Sequence, residues 1–176
     1  VSPVPQFAIE GLVLDIDGVV TDASLYYAAD GELLKVMSAR DGMGMALLRD
    51  AGVPMAVVSG RASPIIEARL GELGVTAIEF RRMDKAEALQ EICRAWKTTP
   101  GRVAAIGDDI VDVPMLRRAG FGAAPSDADP RVLAVADHVC VAPGGRGAIR
   151  EVCEIILRSR GDWPAIAQRF ELEEEA

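Results

Sequence analysis

The sequence predicts an α/β fold: a doubly wound, mostly parallel sheet with helices on both faces and one inserted β-hairpin. Three observations predict it. Short apolar runs of strand length recur along the chain, among them Gly11-Leu12-Val13-Leu14, Met55-Ala56-Val57-Val58 and Val103-Ala104-Ala105-Ile106, and read as strands buried on both faces. Segments of helical length separate them, which is the alternation of a parallel sheet. At 176 residues, half of them apolar, the chain suits one domain with a sizeable core. Residues 7–160 are expected to form it and residues 161–176 a C-terminal tail.

Each element has its own signals. Val1-Ser2-Pro3-Val4-Pro5-Gln6 reads as a short extended leader, without the basic and hydrophobic regions of an export signal. After the first strand, Ser24–Met37 places aromatic and apolar residues around Asp30-Gly31, a hairpin turn. Asp41 is expected to N-cap a helix through about Ala51, ended by Gly52 and Pro54. Met55–Val58 runs into Ser59-Gly60-Arg61. A helix over about Ser63–Leu73 stops at Gly74, and a strand follows near Thr76–Phe80. Asp84 caps a helix to about Lys97, and the strand Val103–Ile106 empties into Gly107-Asp108-Asp109. Helix Val111–Ala119, strand Phe121–Ala124, helix Pro130–Ala136 and strand His138–Val141 continue the alternation. Helices over about Ala148–Ser159 and Trp163–Phe170 close the chain, before an acidic run, Glu171–Glu175, expected to be solvated.

Composition excludes several function classes. A formal charge of −8 and a pI near 4.7 offer no basic stripe to a nucleic acid, yet leave room for a local site that binds a small anion. No apolar run reaches the length of a membrane span, and a cytoplasmic protein is expected. Cys93, Cys140 and Cys153 lack Cys-x-x-Cys spacing and read as reduced, buried thiols. His138 is the only histidine. It adjoins an apolar run without a nearby second metal ligand, so a structural role is expected and a Ser-His-Asp hydrolase is not.

Chemistry concentrates at strand ends. Asp15 and Asp17, two residues apart after the first strand, can face one crevice, and Gly18 frees the backbone to turn away. One carboxylate can attack while the other handles a proton, and together they can hold a hard cation. Alone, such a pair also reads as loop solvation, Ser59-Gly60 as a turn, Lys85 as a solvated lysine and Gly107-Asp108-Asp109 as a helix cap. Ligands of open parallel sheets bind at the carboxyl ends of strands. Asp15, Ser59 and Asp108 each follow a different strand, and so converge.

With Asp15-x-Asp17, Ser59-Gly60-Arg61, Lys85 and Gly107-Asp108-Asp109 in this order, the chain resembles the haloacid-dehalogenase-like phosphatases. Over nearly its whole length it is similar to their sugar-acid branch, the 3-deoxy-D-manno-octulosonate 8-phosphate phosphatase type. The matching segments are Asp17–Asp22, Arg40-Asp41-Gly42, Ser59-Gly60-Arg61, Gly107–Asp112 and Gly144–Glu151. One departure is Ala23, where that family commonly has Gly. The resemblance implies a Rossmann-like fold and a Mg²⁺-dependent phosphomonoesterase working through an aspartyl phosphate. Asp15 is then the nucleophile and Asp17 the acid/base. Asp15, the carbonyl of Asp17 and Asp108 would hold Mg²⁺, with Asp109 and Asp112 orienting that site. Ser59, Gly60 and Lys85 would bind the phosphoryl group.

The intervals Asp22–Ser59 and Arg61–Lys85 leave no room for a cap domain, so a monomer would leave the crevice open. The resemblance implies a homotetramer in which a neighbour covers it, with the hairpin as assembly element. Arg61, Arg40 and Arg146 are candidates to bind an anionic sugar acid, since guanidinium grips carboxylates bidentately. A dehalogenase does not need the acid/base at Asp17, and a phosphomutase usually needs a cap. The alternative from another class is a catalytically quiet tetramerisation module, related to domains fused to sugar-nucleotide synthetases.

Overall fold

Every residue of β1 (Gly11–Leu14) is buried, because it lies in the middle of six parallel strands. The computed structural model describes Pro5 and residues 7–172. The rest of the expected leader, and Glu173-Glu174-Glu175 of the acidic run, lie outside the described residues. β1 pairs with β4 (Met55–Ser59) on one side and β6 (Val103–Ile106) on the other. Beyond them lie β5 (Ala77–Phe80) next to β4, and β7 (Phe121–Ala124) then β8 (His138–Val139) next to β6. The chain therefore winds outward from β1 in one direction, returns, and winds outward in the other. That reversal puts the carboxyl end of β1 at the switch point where open α/β sheets bind ligands.

Alternation along the strands builds one core on each face of the sheet. Leu12, Leu14, Met55 and Val57 pack with α1 (Ala39–Asp50), α2 (Pro64–Glu72) and α6 (Ala148–Ser159). Val13, Ala56 and Val58 pack with α3 (Lys85–Trp96), α4 (Val113–Leu116) and α5 (Pro130–Leu133). A last helix, α7 (Trp163–Arg169), lies in the expected tail, yet its Trp163 and Ile166 pack against the first core. Cys93, Cys140 and Cys153 are buried and unbridged. Among the described residues no helix is long and apolar enough to cross a membrane, and no domain is inserted between the strands.

The hairpin forms as its own sheet, β2 (Tyr26–Ala28) against β3 (Gly31–Leu34). Leading into it, Ala23 sits at φ 62°, left-handed backbone that costs an alanine about 1 kcal/mol; this is the position where the resembling family commonly has Gly.

Two expected helices are shorter than their sequence pattern. The segment 111–119 divides into a 3₁₀ turn, Ile110–Asp112, and the one-turn α4. α5 stops after Leu133. Asp41 is also corrected. Ser38 caps α1, its hydroxyl accepting the Asp41 N–H at 3.3 Å. Asp41 instead points its buried carboxylate across to α6, accepting the N–H groups of Gly147 at 3.0 Å and Arg150 at 2.8 Å.

His138 has neighbours that sequence distance concealed. Its Nε2 lies 2.7 Å from Glu151 Oε1, and donor atoms of His138, Cys140 and Glu151 fall within 4.8 Å of one another. The expectation of no second ligand nearby is thus wrong, but the structural role fits. Glu151 also accepts the N–H groups of Val141 and Ala142, and burial pushes the Cys140 thiol up to about 12. The cluster ties β8 to α6.

Candidate active site

At the carboxyl end of β1 the chain turns sharply, and the Ile16 carbonyl collects the N–H groups of Val19, Val20 and Thr21. Gly18 makes the turn at φ 97°, and any Cβ there would overlap the Asp108 carboxylate. This is the one position in the motif where only Gly fits on both counts. Asp15 is buried in the turn; Asp17 stands nearer the mouth. The carbonyl oxygen of Asp17 accepts no hydrogen bond among the described residues.

The inner half of the site is a cluster of three carboxylates and one ammonium. Lys85, the first residue of α3, is 2% exposed. Its Nζ donates to Asp15 Oδ1 at 2.7 Å and to Asp112 Oδ1 at 2.5 Å. The other oxygen of Asp112 accepts the N–H groups of Asp108 and Asp109 at 3.0 and 3.1 Å. Ligand atoms of Asp15, Asp108 and Asp112 lie within 4.8 Å of one another. Asp108 Oδ1 is buried and has no hydrogen-bond partner among the described residues.

Charge crowding shows in the acidities. Burial pushes Asp15 up to about 6, against the pull of Lys85 and with the push of Asp112. Burial, then the charges of Asp15 and Asp112, push Asp108 up to about 8. Burial alone would lower Lys85, but Asp15 and Asp112 outweigh it and hold the ammonium above its usual value. A surplus of buried negative charge, all oxygen donors, with one donor lacking a partner, is the chemistry a hard divalent cation satisfies.

The outer half holds Asp17. Arg61 Nε lies 3.4 Å from its Oδ2, and Lys35, just beyond β3, donates to its Oδ1. Ser59 ends β4, is buried, and accepts the Arg61 N–H at 3.2 Å. Gly60 follows it, packed under Met83, whose sulfur would have to move for any Cβ.

The other expected residues are placed differently from one another. Arg146 sits on the rim, its side chain 69% exposed and bonded to Asp22 at 3.2 Å; its Gly-rich loop rests on the motif turn through Gly145 N–H to Val19 O at 2.9 Å. Arg40 is exposed in the first turn of α1. Asp109 and Asp112 separate: Asp112 is fully buried at the cluster, whereas Asp109 is exposed and caps the 3₁₀ turn through the Ile110 N–H. Sequence reasoning missed Lys35 and Glu32. The only signal for Lys35 was a lysine inside the apolar hairpin stretch Leu33-Leu34-Lys35-Val36.

Comparison with known proteins places the fold in a family. The family model of the haloacid dehalogenase-like hydrolases matches residues 73–147. The chain is 39% identical to the 3-deoxy-D-manno-octulosonate 8-phosphate phosphatase KdsC of Haemophilus influenzae, over 87% of this chain and 85% of that protein. The cobalt-bound structure of the Haemophilus influenzae phosphatase superposes with a TM-score of 0.86 at 38% identity, covering 89% of this chain and 92% of the other. A Moraxella catarrhalis 3-deoxy-D-manno-octulosonate 8-phosphate phosphatase, solved with magnesium, phosphate and KDO, superposes at 0.91 with 32% identity, covering 94% and 95%. Fold and relatives agree: this chain is a haloacid dehalogenase-like phosphatase and belongs to the family of the 3-deoxy-D-manno-octulosonate 8-phosphate phosphatases.

Proposed function

We propose that this phosphatase hydrolyses the phosphate monoester of a sugar acid, 3-deoxy-D-manno-octulosonate 8-phosphate or a related ulosonate phosphate, by way of an aspartyl phosphate on Asp15. The observation that carries the reading is the buried cluster of Asp15, Lys85, Asp108 and Asp112 at the switch point. Asp15, the Asp17 carbonyl and Asp108 would hold Mg²⁺, with Asp112 orienting Asp108 through its N–H. Bound there, the ion neutralises the repulsion between a carboxylate nucleophile and a phosphate dianion.

The residues divide the work. An Asp15 oxygen bonds to phosphorus while the phosphorus–ester bond breaks and its electron pair moves to the sugar oxygen, which takes a proton from Asp17. Water then bonds to phosphorus, giving its proton to Asp17, and the Asp15–phosphorus bond breaks. Ser59 and the N–H of Gly60 supply donors to the phosphoryl oxygens, and Lys85 supplies a positive charge beside Asp15. Arg61, which pairs with Asp17, and Arg146, which pairs with Asp22, would offer guanidinium groups to a sugar-acid carboxylate, with Arg40 a further candidate on the exposed first turn of α1.

The assembly we infer is a homotetramer that covers the open crevice. Its support is the exposed apolar hairpin, where Leu25, Tyr26, Tyr27, Leu33, Leu34 and Val36 all face solvent in one chain.

Steady-state kcat/KM over a panel of sugar-acid phosphates with Mg²⁺ tests the substrate. Asp15→Asn is expected to lower phosphate release by about 10³-fold or more while leaving the far-UV circular dichroism unchanged. Turnover by that variant near the wild-type rate would sink the mechanism.

A further inference from the structure

Asp17 is held by both oxygens, from two cations that differ in their freedom. Lys35 bonds Oδ1 with a side chain only 2% exposed. Its second partner is Glu32 Oε1 at 3.5 Å, and Glu32 is itself fixed by the Ser63 hydroxyl, which donates to Oε2 at 2.5 Å. Arg61 approaches Oδ2 with a side chain 43% exposed. It rests on the Tyr27 ring, bonds the Tyr27 hydroxyl and lies 4.0 Å from Glu32. An incoming anion can draw the guanidinium away at the cost only of exposed contacts, those to Tyr27 and Asp17, because exposed ion pairs are weak. Lys35 cannot leave unless the hairpin lifts, and lifting would strand buried charges.

We propose that Lys35 is a positioning residue for the proton transfers of Asp17. It pins Oδ1, so that Oδ2, vacated when Arg61 turns to the substrate, is the oxygen that serves the leaving group and then the water. The inference rests on the phosphatase reading above. Oδ2 gives its proton to the sugar oxygen as the phosphorus–ester bond breaks towards that oxygen. It regains one from water as the water oxygen bonds to phosphorus and the Asp15–phosphorus bond breaks. Glu32 and Ser63 complete the arrangement by fixing the ammonium against the far side of Asp17.

The leaving group separates this role from a merely structural one. A sugar alkoxide needs a proton in order to depart, whereas p-nitrophenolate leaves without one, so only the sugar ester depends on an aligned acid in the first step. For Lys35→Met, kcat on the best ulosonate phosphate of the panel is expected to fall about 10²-fold with KM within about threefold of wild type. The first turnover of p-nitrophenyl phosphate, followed by stopped-flow release of nitrophenolate, is expected to stay within about threefold of wild type. Lys35→Arg, which keeps a donor at the site, restores part of the sugar-ester rate, and both variants keep the rise in Tm caused by Mg²⁺. Equal losses on the two esters, an unchanged kcat, or loss of the Mg²⁺ response would each overturn the role of Lys35. Failure of the wild-type enzyme on both esters would instead overturn the phosphatase reading, and this inference with it.

Discussion

Asp15, Asp108 and Asp112 stand closer together than three carboxylates tolerate in an apolar setting, and Lys85 supplies a single compensating charge. The sign of the resulting pH dependence follows from the direction of the shifts. Asp15 and Asp108 hold protons to about 6 and about 8 in the fold, against 3.8 ordinarily. The folded state therefore binds more protons than the unfolded one in that interval, and metal-free stability falls as pH rises through it. A divalent cation displaces those protons and removes the penalty. Tm measured with EDTA is expected to decline from pH 6 to pH 8, and the gain on adding Mg²⁺ to grow over the same interval. A pH-independent Tm in EDTA would contradict the crowding. Asp15, Ser59 and Asp108 were legible because a parallel sheet sends every strand end to one edge, so order along the chain becomes proximity in space, whereas Lys85, at a helix start, was legible only through the family resemblance. Lys35 was not, since it arrives from a separate small sheet whose docking leaves no periodic mark. The inner position of Asp112 follows from a tight turn that carries it back under Asp108.

Helices α1 and α6 show how one element finishes another. The first N–H groups of a helix have no partner within it, and the N-cap of α6 is Gly147, which has no side chain to help. Asp41 reaches over from α1 and accepts the N–H groups of Gly147 and Arg150, performing both bonds of a cap from a different helix. Asp41→Ala is expected to cost about 2 kcal/mol, as a lost cap whose bonds are charge-assisted and buried. Asp41→Asn, which keeps an acceptor, is expected to cost less. Urea denaturation midpoints at constant slope check the order, and a midpoint unchanged in Asp41→Ala would refute it. The amphipathic helices α3 and α6, with strong local signals, occupy the spans that the sequence indicates. The segments 111–119 and 130–136 each hold only one α-helical turn, although the side chains of Asp109 and Asp129 cap their starts. Asp41 was misread because a carboxylate near a helix start looks the same in sequence whichever helix it caps.

At the scale of the whole molecule, the sheet and its two cores were predictable from alternation and the hairpin from its turn, but what covers the hairpin is not written in one chain. Leu33, 61% exposed, sits in the apolar patch from which the homotetramer was inferred. Sedimentation equilibrium is expected to give a multiple of the 18.7 kDa chain for the wild type and a smaller species for Leu33→Glu, because a buried unpaired carboxylate is costly at an interface. A monomeric wild type would remove the tetramer. The hairpin has one more property that matters for how such an enzyme can change. Among the described residues, its polar side-chain moorings to the body of the protein are Lys35 to Asp17, Tyr27 to Arg61, and Glu32 to Arg61 and Ser63, all of them at the site. A two-stranded ribbon has little stability of its own, so it is held by the groups it serves. Substitutions that firm up this ribbon and substitutions that tune turnover fall on the same handful of positions. A lineage diverging toward a new sugar has little freedom to alter one without the other.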